Sequence, residues 1–368
     1  MTKYILRRVI QAIPVIFVIS LVSFWLMIQA PGGPEAVFNQ NPHITHEQVL
    51  AWLKRWCLEQ NPDVFGVVRE YLGWVGIWNC DAGSLFASSG LPNFFPTFLG
   101  GGTNGILHGD FGLSIFYSQP VSDLILIRLP ATLILMSTAT VIWISIAIVA
   151  GVTAAVRRYS LYDNAVTFTS YVLYALPTFW LGLMLIFAFG VTLRIFPPQG
   201  IIDARSSPAP WGTNAYWAAL VANPIPNLLD IGRHLVLPVI TLVAVSVAGD
   251  SRFVRSAMLD SLNQDYVRTA KAKGLPSSRV IFRHAFRNAL LPILTNITLE
   301  IAAIFSGAIV TETVFSWPGM GLLFYEGVNN RDYFLLMGLV LIGSVLVVVA
   351  NLVADVLYAV ADPRIRYD

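Results

Sequence analysis

The chain has 368 residues, of which 56% are hydrophobic and only 12% charged, with a formal net charge of +2 and a mean hydropathy of +0.66. A soluble domain carries about 25% charged residues, so this composition excludes one and assigns the chain to a bilayer. Six stretches, about 9–30, 129–156, 165–191, 235–254, 289–311 and 334–360, are long enough to cross roughly 30 Å of hydrocarbon as helices. Unpaired strands would leave backbone groups unsatisfied in lipid, so the expected class is all-α and integral to the membrane.

Lys3, Arg7 and Arg8 ahead of the first apolar run resemble the start of a secretory signal. The run is about 22 residues long against roughly 7–15 in a signal, and Pro31-Gly-Gly-Pro34 follows without a small-x-small cleavage site, so it is expected to stay as an anchor. Pro14 inside it is tolerated where neighbouring helices satisfy the freed carbonyl.

Residues 31–128 then form a connection of 98 residues, long enough to fold or to pack on the membrane surface. Thr45-His-Glu-Gln48 fits a capping box ahead of Leu50, Trp52, Leu53 and Trp56, which predicts a short amphipathic helix; residues 64–75 are a second candidate. The only two cysteines, Cys57 and Cys80, both fall here. An extracytoplasmic location permits a disulfide between them, with two inert thiols as the alternative. Asp110-Phe-Gly112 is no kinase motif, since no glycine-rich or catalytic loop accompanies it.

Between the third and fourth spans, Ala215-Tyr-Trp-Ala-Ala-Leu-Val-Ala222 is too short to cross and is bracketed by Pro208, Pro210, Pro224 and Pro226. Its Trp and Tyr suit the membrane interface. Charges inside spans are costly, about 2.5–3.5 kcal/mol each, so Asp250, Glu300 and Asp355, with Asn296 and Asn351 near them, are candidates for a polar translocation path. Helix-to-helix hydrogen bonding is the competing account, and the favoured one for Asn351 and Asp355.

Residues 251–288 carry eight basic and two acidic side chains, a net of +6 in a protein of net +2. Two short helices with a sharp break are expected. Val267, Ala270 and Gly274 give the first a small-residue face, Gly274 suits a left-handed position past its end, and Pro276 cannot continue it. Ser277 or Ser278 is placed to cap the second, with Arg279, Arg283 and Arg287 on one face and Ile281, Phe282, Ala285, Phe286 and Ala289 elsewhere. This stretch reads as a docking surface for a partner or as a solvated loop near anionic lipid.

With the N-terminus inside, the segments 1–8, 157–164, 251–288 and 361–368 hold 15 of the 23 Lys and Arg in 62 residues, against 8 in the 163 residues outside. Both termini and the basic loop are therefore expected in the cytoplasm.

An enzyme finds little support. The histidines at 43, 46, 108, 234 and 284 all lie away from the membrane centre, and His43 with His46 is a weak metal pair. The only lysines are 3, 54, 271 and 273, none in a phosphate-binding G-x-x-x-x-G-K-[ST] loop, so ATP-driven work requires a separate subunit.

The run Tyr266-Val-Arg-Thr-Ala-Lys-Ala-Lys-Gly274, continuing through Arg283-His-Ala-Phe-Arg-Asn-Ala-Leu-Leu-Pro292, resembles the EAA loop of ABC-importer permeases. Arg268-Thr-Ala270 stands where the general motif has Glu-Ala-Ala, and the interval to Leu-Pro is short, as in the peptide (dipeptide/oligopeptide/nickel) family. Further resemblances lie at Leu6–Pro14, Ala30–Gly33, His108–Gly112, Arg128–Thr132, Leu176–Gly182, Glu312–Gly321 and Ala361–Arg366. Against that pattern residues 78–106 look like an insertion.

This resemblance implies a type I ABC importer (MetI-like) permease fold in a prokaryotic cell membrane, of the subunit type with a long N-terminal external loop. The implied division is 1–128 (first helix and external loop), 129–360 (permease core) and 361–368 (cytoplasmic tail). The implied partners are a second, homologous permease, two cytoplasmic ABC ATPases and an extracytoplasmic solute-binding protein, in contact with lipid and with no nucleic acid or cofactor. Asp265, Tyr266, Arg268, Thr269, Ala270, Lys271, Ala272, Lys273 and Gly274 would form the ATPase-coupling loop. Glu300 is the strongest path candidate, followed by Asn296 and Asp250, because the family pattern asks for no acid at 300. Peptide, nickel complex and oligosaccharide remain open as cargo, and an ion-coupled carrier using Glu300 or Asp355 would share the six spans.

If Cys57 and Cys80 are bridged, the loop of about 24 residues that they close should stabilise the external segment by roughly 3 kcal/mol. Mass spectrometry of non-reduced protein from the native envelope should find the cross-linked peptide; free thiols at both positions would contradict the bridge.

Overall fold

A computed structural model describes residues 2–29, 64–77, 105–203, 205, 207, 209–304 and 308–361. Cys57, Cys80, the predicted helix after Thr45, residues 78–104 of the insertion and the tail from 362 lie outside the described residues. The chain divides into two compact units, one drawn from Met1–Ile5, Arg128–Leu322 and Leu346–Asp368, the other from Leu6–Ile127 and Leu323–Val345.

In the second unit the first span is α1, Thr2–Gln29, and the predicted helix at 64–75 is α2, Val64–Val75. Tyr71 and Trp74, one helical turn apart, lay α2 on α1. Phe24 packs against Tyr71 and Trp74 with ring centroids at 5.5 and 5.6 Å, and Tyr71 Oη meets Ser20 Oγ at 2.8 Å. Aromatic pairs at such separations contribute beyond their buried area.

Farther on, β1 (Leu113–Ser114) and β2 (Gln119–Pro120) form an antiparallel hairpin with Leu113 opposite Pro120. Its anchor is Asp332, fully buried, which accepts from Ser114 Oγ at 2.6 Å, from Phe116 N at 3.2 Å and from Leu335 N at 3.2 Å. Burial raises the Asp332 carboxyl above its ordinary range, and these donors oppose the shift.

The first unit is a helical bundle. Its elements are α3 (Val121–Val156, from Arg128 onward), α4 (Leu161–Ala175), α5 (Thr178–Leu185, extended by a π stretch to Thr192), α6 (Asn214–Ala222) and α7 (Pro224–Leu262). After them come α8 (Asp265–Ala272), α9 (Ser277–Arg279), a π stretch Val280–Phe286, α10 (Arg287–Ala303), α11 (Ile309–Val314) and the start of α12 (Met320–Asn329). The last long helix is α13, Tyr333–Ala361. Ala131, Leu135, Ala139 and Trp143 of α3 pack with Ile231 and Val239 of α7 and with Trp317.

Four described helices are long and apolar enough to span: Leu6–Gln29, Val121–Val156, Pro224–Leu262 and Tyr333–Leu352. The stretch expected as one span at 165–191 is bent by 98° between α4 and α5. Pro177 lacks the N–H that would continue the ladder and forces Leu176 out of the helical region, to φ −80° and ψ 128°. Counted as one broken span, this pair makes five. Of the span expected at 289–311 the structure describes α10, Arg287–Ala303, which is not among those four.

One buried carboxyl organises the segment after α10. Glu312, at 0% exposure, accepts from Thr132 Oγ1 at 2.9 Å and from Leu322 N at 3.0 Å, while Thr132 Oγ1 itself accepts from Met320 N at 2.7 Å. Trp317 Nε1 donates to Ala131 O at 2.8 Å, which closes the same turn onto α3. A Cβ at Gly319 would sit 2.4 Å from Glu312 Oε2, so only glycine lets the turn wrap the carboxyl. Burial raises the Glu312 carboxyl above its ordinary 4.5. Its stabilising contribution is therefore fully present below that value and is lost as pH rises through the folded-state value.

Glu312→Ala should strand two or three buried donors and lower stability by about 2–5 kcal/mol, whereas Glu312→Gln keeps an acceptor and should cost less than half as much. Thermal unfolding in detergent checks both. The Gln variant should also show a smaller loss of Tm than the parent between pH 5 and 8.

Candidate coupling surface

The basic segment begins where α7 ends, and its geometry starts with α8. Two residues on one face, Val267 and Ala270, are buried at 0% and 5% exposure. They join Val254 and Met258 of α7, Val152 and Ala155 of α3, and Val280, Ala285, Ala289 and Ile293 farther along the chain. Burying a valine is worth about 1.5–3 kcal/mol, so this face fixes the helix to the bundle. Asp265, Tyr266, Arg268, Thr269, Lys271, Ala272, Lys273 and Gly274 are all exposed. Arg268 and Asp265 meet at 3.5 Å with side chains 75% and 96% exposed, an ion pair of little energetic weight.

Both ends of α8 are fixed. Tyr266 Oη lies 2.7 Å from Ser261 Oγ, and Ser261 Oγ donates to Ala285 O at 2.7 Å. The serine proton is committed to that carbonyl, so the tyrosine hydroxyl donates to the serine. At the other end Gly274 N donates to Lys271 O at 3.0 Å and Leu275 N to Ala270 O at 3.4 Å. These two bonds, with Gly274 at φ 71°, make a Schellman termination, and Leu275 packs against the same buried cluster. A Cβ on Gly274 would meet nothing within 4 Å, so its requirement for glycine is conformational and not steric.

The second predicted helix differs in form. Pro276, not Ser277 or Ser278, occupies the N-cap and offers no side-chain bond, and the segment runs through the π stretch directly into α10. Its missing N–H suits an entry whose donors would be unpaired anyway. Arg279, Arg283 and Arg287 are exposed on one side, and Ala285 and Ala289 are buried on the other, as expected; Phe282 stays 61% exposed.

Of the path candidates, Asn296 Nδ2 donates to Asp250 Oδ1 at 3.0 Å, a hydrogen bond between α10 and α7. Glu300 lies one turn beyond Asn296 on α10; its side chain, like that of Asp355, is outside the described set, while Asn351 is exposed.

Asp163 was not anticipated. It is buried at the start of α4 and receives both Nε and Nη2 of Arg255 on α7, at 2.6 and 2.8 Å, together with Tyr159 N at 2.9 Å. Ser160 caps this helix by accepting from Asp163 N at 3.2 Å. The spacing Ser160-x-x-Asp163 was the available sign, a short version of the capping box.

Residues 147–367 match the family described as binding-protein-dependent transport system inner membrane component. The chain is 38% identical over its full length to the whole of the oligopeptide transport system permease protein AppB of Bacillus subtilis. It is 34% identical to the di/tripeptide transport system permease protein DppB of Pseudomonas aeruginosa and 32% identical to the dipeptide transport system permease protein DppB of Escherichia coli K12, in each case over all of this chain and 99% of the relative. A family match over more than half of the chain, full-length relatives above 30% identity, a mostly helical bundle and a basic amphipathic helix between two long helices agree: the chain belongs to the binding-protein-dependent transport system inner membrane components, the permease subunits of ABC importers.

Proposed function

We propose that the chain forms half of the translocation pathway of an ABC importer for peptides, with α8 as the surface that an ATPase subunit grips. The observation that carries this reading is the two-sidedness of α8: Val267 and Ala270 tie it to the bundle, while Arg268, Lys271 and Lys273 face out in the most basic segment of the chain. Such a helix transmits a push as a rigid displacement. Peptide cargo is supported by what the full-length relatives are named for; nickel complexes and oligosaccharides are the alternatives within the same architecture.

In this reading six helices cross the membrane, both termini lie in the cytoplasm, and a second permease, two ATPases and a solute-binding protein complete the assembly. The hairpin at 113–120, held by Asp332, and the α12 segment from Leu323 present Phe116, Tyr325 and Val328 to solvent as the receiving face for the binding protein. Glu300, Asn296 and Asp250 are proposed to line the path. The distribution of basic residues supports the orientation, and it is checked by labelling with a reagent that cannot cross membranes. A cysteine placed at Ser277 should react only after cells are opened, and one at Ser207 in intact spheroplasts; labelling of Ser277→Cys from outside would reverse the topology.

Gly274→Val tests the coupling surface. A β-branched residue at φ 71° is strained by about 1–2 kcal/mol or more, so the end of α8 should shift while the spans are untouched. The variant complex should reach the membrane and bind its solute-binding protein, yet lose uptake and substrate-stimulated ATP hydrolysis together by at least tenfold. Gly274→Asn, tolerated in the left-handed region, should retain most of both. Arg268→Glu should weaken ATPase attachment most at low salt, where screening is least. Normal uptake by Gly274→Val, or uptake driven by a proton gradient with the ATPases deleted, would favour an ion-coupled carrier instead.

A further inference from the structure

The helix that carries α8 is joined to the bent helix α4–α5 by a row of polar contacts. Starting from the α8 end of α7, Arg255 places its guanidinium edge on both carboxylate oxygens of Asp163, at 2.6 and 2.8 Å. Arg252, one turn away, lies over the rings of Tyr171 and Tyr174 with its guanidinium carbon 4.9 and 4.8 Å from their centroids. Ser251 Oγ meets Ser170 Oγ at 3.2 Å. Successive turns of α4, from Asp163 to Tyr174, thus hold successive turns of α7. On the opposite side a Cβ at Gly151 of α3 would lie 2.6 Å from Ser251 O, so backbone presses on backbone there.

These contacts differ in kind from apolar packing. A planar, bidentate guanidinium–carboxylate pair fixes direction as well as distance, and here the carboxylate is buried while the arginine is partly exposed, so sliding would strand the Asp163 charge. The two exposed tyrosine rings add a weaker cation–π contact to the second arginine. The helices α4 and α7 are thus tied along one seam of directional contacts. The weak point of α4 lies beyond this seam, at Leu176 and Pro177, both in extended backbone, where the chain turns by 98° into α5. At the other end α7 passes into α8 through only Asn263 and Gln264.

We propose that Asp163 is a positioning residue for coupling. Through Arg255 it makes α4 follow α7, so that displacement of α8 is converted into a change of angle at Leu176-Pro177 and moves α5. Without the carboxylate the ATPase still docks on α8, but the push is lost at the seam. This inference rests on the importer reading and adds to it the element that moves.

The test uses the assembled complex in proteoliposomes, supplied with ATP and with its own solute-binding protein charged with a tryptic peptide digest. Asp163→Asn keeps the size and one acceptor of the side chain, and Arg255→Gln keeps hydrogen-bonding capacity; each is expected to assemble with the ATPases and to keep basal ATP hydrolysis within about twofold. The stimulation by loaded binding protein, normalised to assembled complex, should fall at least tenfold in each, and the double variant should lose no more than either single one. Full stimulation in Asp163→Asn would overturn the proposal. So would losses that multiply in the double variant, or a loss of stimulation matched by equal losses of assembly and basal hydrolysis, the pattern of a merely structural pair. A parent complex that ignores its binding protein would overturn the importer reading and this inference with it.

Discussion

The architecture of the basic segment depends on the burial of Val267 and Ala270 against α3, α7, α10 and the π stretch that precedes α10. An eight-residue helix is far too short to be stable alone, since nucleation costs more than so few hydrogen bonds return. It exists because its apolar side is held, because Gly274 and Leu275 satisfy its last carbonyls, and because Tyr266 and Ser261 fix its entry. Those constraints leave its polar residues outward at a defined angle. A helix gripped as we propose would need that rigidity, and the bundle supplies it from three separate stretches of sequence.

Elsewhere the structure is governed by the cost of polar groups removed from water. Glu312, Asp332 and Asp163 are each almost completely buried, and each is met by two or more donors at 2.6–3.2 Å. Each also lies close to a change of chain direction: Glu312 in the short α11, Asp332 just before α13, and Asp163 in the first turn of α4. A carboxyl at a corner accepts backbone N–H groups that no helix ladder satisfies, and so converts a turn into a fixed joint. By contrast, at the 98° bend at Leu176-Pro177 no side chain caps the start of α5.

Much of this was legible in the sequence. Hydropathy located four long spans, residues 64–75 stood out as a short helix and form α2, and Gly274-Leu-Pro276 marked the end of α8 with its left-handed glycine. What escaped depends on contacts between residues distant in the chain. Asp163 and Arg255 are 92 positions apart and Thr132 and Glu312 are 180 apart, so no local pattern pairs them. The bend at Pro177 lay inside an unbroken apolar run, where composition argues for a continuous span and only the backbone chemistry of one residue argues against it. The cap on α9 was misassigned for a related reason: serine is the better N-cap by propensity, but Pro276 already has the extended conformation that the position requires.

The central claim is that α8 is where ATPase motion enters the membrane. It is tested most directly by placing a cysteine at Lys271, exposed on the outward face, and cross-linking it across a short linker to cysteines in the cleft of the ATPase subunit. The account predicts cross-linking at least tenfold above that from a cysteine at Arg158, with a pattern of reacting partners that changes when ATP is bound and no change in assembly. Equal labelling from both positions, or no cross-link from Lys271→Cys in a complex that still transports, would contradict it.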